Sequence, residues 1–225
     1  MKKDFLGAIR VPIYVVLFLW FVHLLSLTTG IRLGAYGVYP RTISGIRGIF
    51  LSPFVHGSLH HLFSNSWPLL VMLFMIIFFY KRVAFSSIAL IYLLTGVGVW
   101  AFGRSHVFHI GASGVVYGLV SFVFWTGIFR RNLKSVVLAL IVTFLYSSYF
   151  LGILPYREGI PWLSNQENIS WESHLIGGIV GIIVAFLFKN SIEIDEHKKD
   201  PWHDEDENAE YFLPRDVFGK RKEGF

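Results

Sequence analysis

His109-Ile-Gly-Ala-Ser-Gly-Val-Val-Tyr-Gly-Leu-Val-Ser-Phe-Val-Phe-Trp-Thr-Gly-Ile-Phe129 carries no charged residue between Ile110 and Phe129, and Arg130-Arg131 closes it. As a helix, Ser113–Phe129 spans about 25 Å at 1.5 Å per residue, close to the ~30 Å hydrocarbon core of a bilayer. The run is too long and too continuous for an alternating barrel strand. Five further stretches have a similar character: Val11–Thr29, Leu59–Tyr80, Ala84–Ala101, Ser135–Ile153 and Trp171–Phe188. In lipid only helices and closed barrels satisfy the backbone. The expected fold is therefore all-α, a polytopic membrane protein with a bundle of six transmembrane helices. The fourth and sixth stretches are the least apolar, because they hold glycines, a serine and a histidine.

Composition agrees. Of 225 residues, 54% are apolar, 22 are phenylalanine and only 16% are Asp, Glu, Lys or Arg. Mean hydropathy is +0.55. Before Lys189 there are 13 basic and 4 acidic residues, too few charges to cover a soluble domain of that size. The sequence pI near 9.4 invites a nucleic-acid partner. The basic residues sit between apolar stretches instead of forming a binding face, which excludes that class. No cysteine is present, so disulfides, Cys-ligated zinc and thiol nucleophiles are excluded as well.

The flanks set an expected orientation. Lys2, Lys3, Arg10, Lys81, Arg82, Arg130, Arg131, Lys134 and Lys189 fall on one side of the bundle, and Arg32, Arg41, Arg47, Arg104 and Arg157 fall in the loops of the other. The first side is expected to be cytoplasmic, in a multi-pass protein of the cell membrane with both termini inside. Residues 1–10 read as a cytoplasmic N-terminus and 11–188 as the membrane domain. Its first outer loop, about 30–55, is long and rich in Gly and Pro, an expected ordered cap. Residues 189–225 read as a charged, disordered tail. The apolar run behind Met-Lys-Lys-Asp4 is too long for a signal peptide and is expected to remain as the first span.

Polar groups inside spans cost several kcal/mol unless they are partnered, so they are the informative ones. The second span opens with His56-Gly-Ser-Leu-His-His-Leu-Phe-Ser-Asn65, where His61 and Asn65 lie four apart on one helix face and His60 points about 100° away. Ser113 starts the fourth span, where free N–H groups and the positive end of the helix dipole favour an anion. Tyr117 follows one turn later, and Gly111, Gly114 and Gly118 form a neighbouring smooth stripe. In the sixth span His174, Gly177, Gly178 and Gly181 form one stripe. Each pattern alone is explained by interhelical hydrogen bonding or close packing. Together they are more specific. Two small-residue stripes in contact would hold His174 beside Ser113, a serine with a base to take its proton. Oxyanion donors would be the Ser113 N–H, His61 and Asn65. Glu172 lies on roughly the opposite face from His174, so the reading is a Ser–His dyad in which Tyr117 packs on the imidazole in place of an orienting acid.

These residues resemble the rhomboid family of intramembrane serine proteases, across about residues 11–188. The resemblance implies Ser113 as nucleophile, His174 as general base, and His61, Asn65 and the Ser113 amide as the oxyanion hole. His56, Tyr117, Gly111, Gly114, Gly177 and Gly181 would support them, with no metal and no cofactor. Many relatives carry Trp-Arg in the first outer loop. Ile46-Arg47 stands nearest here, with a spacing to His56 one residue longer, which leaves open whether Arg47 orders that loop. Expected partners are transmembrane protein substrates and the lipid bilayer, reached laterally past the fifth span or fifth loop. Substrate identity and oligomeric state are not specified.

Two rivals remain at this stage. His56-Gly-Ser-Leu-His-His61 also fits the histidine box of membrane di-iron oxygenases and desaturases, but such sites need several boxes. His106 and His109 are spaced as a helical pair, no second His-His occurs, and His197 and His203 sit in the tail. The other rival is a non-catalytic protein that binds membrane proteins on the same scaffold.

Overall fold

A computed structural model describes residues 2–153 and 170–191. The helices are α1 (Lys2–Thr29), α2 (Ile46–Leu51), α3 (Leu59–Phe79), α4 (Ala84–Phe102), α5 (Ser113–Arg130), α6 (Leu133–Leu145) and α7 (Trp171–Leu187). Four of them, α1, α3, α4 and α5, are long and apolar enough to cross a membrane, and α6 and α7 are shorter apolar helices. With the short α2 set apart, this is the expected bundle of six membrane helices. The fifth loop, 154–169, and the tail from 192 onward lie outside the described residues.

Helix α5 is the most enclosed of the four long helices. It packs on α7, α6, α4 and α3, with Val116, Leu119, Phe122 and Val123 fully buried. Its contact with α7 is made by glycines. A Cβ on Gly177 would collide with the Gly114 carbonyl, and one on Gly181 would lie 2.6 Å from Ser121 Cβ and 2.9 Å from Phe122 N. Only residues without side chains let the two backbones approach so closely. Ser121 Oγ then donates to the Gly178 carbonyl at 2.7 Å, a bond that the low dielectric of the membrane interior favours. Outward faces are apolar in turn: Tyr14, Phe21, Phe63, Trp67, Leu140 and Phe144 are all exposed. A surface of that kind fits lipid and not water.

Three features differ from the sequence reading. Helix α1 begins at Lys2 instead of Val11. Asp4 sits in its first turn, where the dipole favours a carboxylate, and lies 3.9 Å from Lys81 in the α3–α4 turn. The fifth span does not run as one helix from Ser135 to Ile153. Helix α6 ends at Leu145, and Ser147–Ile153 continues as a 3-10 helix. The tighter winding turns Tyr149 onto Tyr117, with ring centroids 4.9 Å apart, and brings the Gly152 carbonyl to His174. His106 and His109, finally, share no helix. They lie in the α4–α5 loop, His106 in the left-handed region with φ of +64°.

The segment between α1 and α3 is held by hydrogen bonds to the α4–α5 side of the bundle. Val38 and His109 exchange two backbone hydrogen bonds of 2.9 Å each, and Trp100 Nε1 donates to the Thr42 carbonyl at 2.8 Å. Two arginines tie the loop down. Arg47 donates to the Ala35 carbonyl at 3.1 Å and lies 4.9 Å over the Tyr36 ring. Arg41 donates to the Ala101 and Gly103 carbonyls at 3.1 and 3.0 Å, and to Ser105.

Candidate active site

Three segments converge at one end of the bundle. The first is the start of α3. Ser58 caps it by accepting from the His61 N–H at 3.1 Å, which fixes the first turn and therefore the face on which His61 and Asn65 stand. Asn65 is buried and one of its amide hydrogens goes to the His61 carbonyl at 2.9 Å. His60 is exposed, on a different face from His61.

The second segment is the approach to α5. Gly111 has φ of +102°, and its N–H donates to the Ser52 carbonyl at 2.9 Å. A Cβ there would lie 2.6 Å from the His61 ring and 3.8 Å from the Asn65 amide nitrogen. Glycine is required twice, by the backbone angle and by the close approach. Two residues on, Ser113 is the first residue of α5 and is half-buried. Its N–H belongs to the first turn, which has no acceptor within the helix.

The third segment is the start of α7, where His174 is buried. Its ring stacks on Tyr117 with centroids 4.1 Å apart and planes at 8°. Its Nδ1 lies 2.8 Å from the Gly152 carbonyl. A carbonyl can only accept, so Nδ1 carries the proton and Nε2 is left as the acceptor of the imidazole. A Cβ on Gly152 would collide with the Tyr117 hydroxyl, so this glycine is what lets the 3-10 helix close on the ring pair. The chain thus carries Ser113 between the Gly111–His61 contact on one side and the Tyr117–His174 stack on the other.

A polar clasp holds α7 at this depth, and sequence reasoning missed it. His109 Nε2 donates to the Arg104 carbonyl at 3.1 Å, so its Nδ1 accepts from Ser170 at 2.5 Å, and Ser170 in turn accepts from Ser173 at 2.7 Å. Arg104 Nε lies 3.3 Å from a carboxylate oxygen of buried Glu172. Burial holds the His109 imidazole below its usual range, against opposing pulls from the Arg104 carbonyl and the Glu172 charge. Glu172 and Ser173 stand beside His174 in the sequence, and nothing local says that Arg104 and His109 meet them.

His56 stands behind His61, with ring centroids 5.0 Å apart and nearly edge-to-face. Burial takes its pKa down to about 3, with the His61 and His23 charges adding to the fall and the nearby Phe54 backbone opposing it. It is neutral at physiological pH. Among the described residues no three His, Asp or Glu side chains stand close enough to share a metal ion. The histidine box of the rival reading is split, since His56 is buried and His60 is exposed.

A hydroxyl at a helix N-terminus, an imidazole with one ring nitrogen left to accept, and the Asn65 amide are groups that nucleophilic acyl transfer uses. Comparison with known proteins gives the family. A family model described as Rhomboid domain matches residues 44–191. An uncharacterized protein of Mycobacterium tuberculosis is 32% identical over 174 residues, which cover 75% of this chain and 70% of the relative, and one of Mycobacterium bovis matches to the same extent. An uncharacterized protein of Mycobacterium leprae is 28% identical over 174 residues, 75% of this chain and 66% of its own length.

Proposed function

The chain belongs to the rhomboid family, and on that footing we propose that it is an intramembrane serine protease working through a Ser113–His174 dyad. The observation that carries the reading is the His174 ring. Stacked on Tyr117, one turn beyond Ser113, and donating through Nδ1 to Gly152, it keeps Nε2 for a proton from the serine. In the proposed reaction His174 Nε2 takes the Ser113 hydroxyl proton as Oγ bonds to the scissile carbonyl carbon. The oxyanion collects donors from the Ser113 N–H, the His61 ring and the second hydrogen of the Asn65 amide. Collapse breaks the C–N bond, and His174 returns its proton to the leaving amine. Water then attacks the acyl-enzyme by the same exchange in reverse order.

The substrate class follows from the setting. A transmembrane segment must unwind locally before its carbonyl is exposed, which favours small or helix-breaking residues near the cleaved bond. An open groove of about 500 Å³ is lined by Val16 and Trp20 of α1, by Phe63, Ser64 and Trp67 of α3, and by Leu145 at the end of α6. Its place supports lateral approach from the bilayer beside the fifth span. The Lys and Arg asymmetry of the loops supports a protein of the cell membrane, with both termini inside and the site facing out.

Cleavage of a transmembrane reporter by purified chain in detergent tests the reading. The wild type is expected to cut, and Ser113→Ala is expected to remain inserted and lose all cleavage. Full activity in that variant would remove the nucleophile.

A further inference from the structure

The site has a polar neighbour that the mechanism above does not use. Between α1 and the first outer loop lies a cavity of about 60 Å³, walled by His23 and Ser26 of α1, by Leu33, Phe54 and His56 of the loop, and by Ile110. His23 is 5% exposed and His56 is 7% exposed. His23 Nε2 and both ring nitrogens of His56 are buried, with no hydrogen-bond partner of good geometry among the described residues. Phe54 closes one wall and stands edge-on to Phe18 at 5.3 Å. His56 in turn stands against His61, with ring centroids 5.0 Å apart. His23 lies outside the matched span of residues 44–191.

Buried imidazole nitrogens left without partners are destabilising, and native proteins satisfy such groups with ordered water. A water needs roughly 10–15 Å³ and two or more polar partners. The cavity has room for several waters, and His23, Ser26 and His56 are the polar side chains of its wall. We propose that it is a built water site bridging His23 to His56, and that through it the first span supplies a positioning residue for the oxyanion side of the catalytic centre. His56 packs edge-on against His61, so water that fixes the tautomer and tilt of His56 fixes the surface on which His61 rests. His23 touches no reacting atom in this scheme. The catalytic half of the inference rests on the protease reading, and the water site itself does not.

The test uses the full chain in lipid nanodiscs, as wild type, His23→Leu and His23→Gln. A map at a resolution that shows solvent is expected to place water between His23 and His56 in the wild type and not in His23→Leu. With a transmembrane reporter, His23→Leu is expected to lower kcat about tenfold with KM within about twofold, a smaller loss than removal of an oxyanion donor itself. His23→Gln keeps a donor and an acceptor and is expected to restore kcat to within about threefold of wild type. A dry cavity or a metal ion in place of water would overturn the site. Unchanged kcat in His23→Leu, a change confined to KM, or failure of Gln to rescue would overturn the positioning role. If wild type neither cleaves nor reacts with a serine-directed probe, the protease reading is what fails, and the map alone decides the water site.

Discussion

Gly177 and Gly178 are neighbours in sequence, and replacing each with alanine should have opposite effects. A Cβ on Gly177 would collide with the Gly114 carbonyl oxygen, lie 2.9 Å from the carbonyl carbon and 3.3 Å from Gly118 N. All of these are backbone atoms and none can swing aside. Restoring ordinary carbon contacts of about 3.5–4.0 Å forces α7 away from α5 by on the order of 1 Å. Overpacking of this kind costs about 1–3 kcal/mol. The displacement acts on the pair of helices that carry Ser113 and His174, and a shift of about 1 Å in reacting groups costs about 10²-fold in rate. At Gly178 a Cβ meets nothing within 4 Å. Alanine there is expected to be neutral or to stabilise α7 by about 0.5–1 kcal/mol through lower backbone entropy in the unfolded chain. Thermal unfolding in detergent and reporter cleavage, run on both variants, read the two effects. Equal activities for Gly177→Ala and Gly178→Ala would refute the reasoning that the glycine seam sets the distance across the site.

Other predictions follow from single contacts. Tyr117→Phe keeps the ring that stacks on His174 and is expected to retain kcat within several-fold, whereas Tyr117→Ala loses an aromatic pair worth about 0.5–1.5 kcal/mol and should fall at least tenfold in reporter cleavage. Arg104→Ala should lower the unfolding temperature more than Glu172→Gln, because the first leaves a buried carboxylate unpaired and the second removes the charge. The guanidinium is 53% exposed, so water screens the pair and the loss should stay near about 1–2 kcal/mol, below that of a fully buried pair. Stability should also depend on pH. His56 is held at about 3 in the folded chain against an ordinary 6.5, so the unfolded chain takes up its proton first as pH falls. Its contribution is whole above pH 6.5 and is lost toward about 3, at up to about 1.4 kcal/mol per pH unit. The lowered His109 acts in the same direction. Unfolding temperatures measured from pH 8 to 5 should fall, and His56→Asn should flatten the curve.

Much of this was readable from the chain because lipid makes the rules strict. Long apolar runs had to be helices, and glycines repeating with the helical period had to mark a close seam, which is how Gly114, Gly177 and Gly181 appeared before any coordinates. Periodicity names the face of a helix and not what meets it. Nothing local in Gly152 announced that its carbonyl would hold His174, since that contact joins residues 22 positions apart through a 3-10 helix. The same gap hid the Arg104–Glu172 and His109–Ser170–Ser173 clasp, whose partners lie in different loops. The change of winding within the fifth span is hidden for a related reason: Tyr146, Ser147 and Tyr149 are as compatible with an α-helix as with the tighter turn that tertiary packing on Tyr117 selects. In the sequence His23 is one polar residue in an apolar run, and only the fold sets it across a cavity from His56.

The central claim is that one alcohol in the bilayer is made nucleophilic by one imidazole. Labelling by a fluorophosphonate probe addresses it without any knowledge of the natural substrate. Wild type is expected to take up one equivalent of probe at Ser113, and Ser113→Ala and His174→Ala, equally folded and inserted, are expected to take up none. Labelling of His174→Ala at the wild-type rate, or of a serine other than Ser113, would contradict the account.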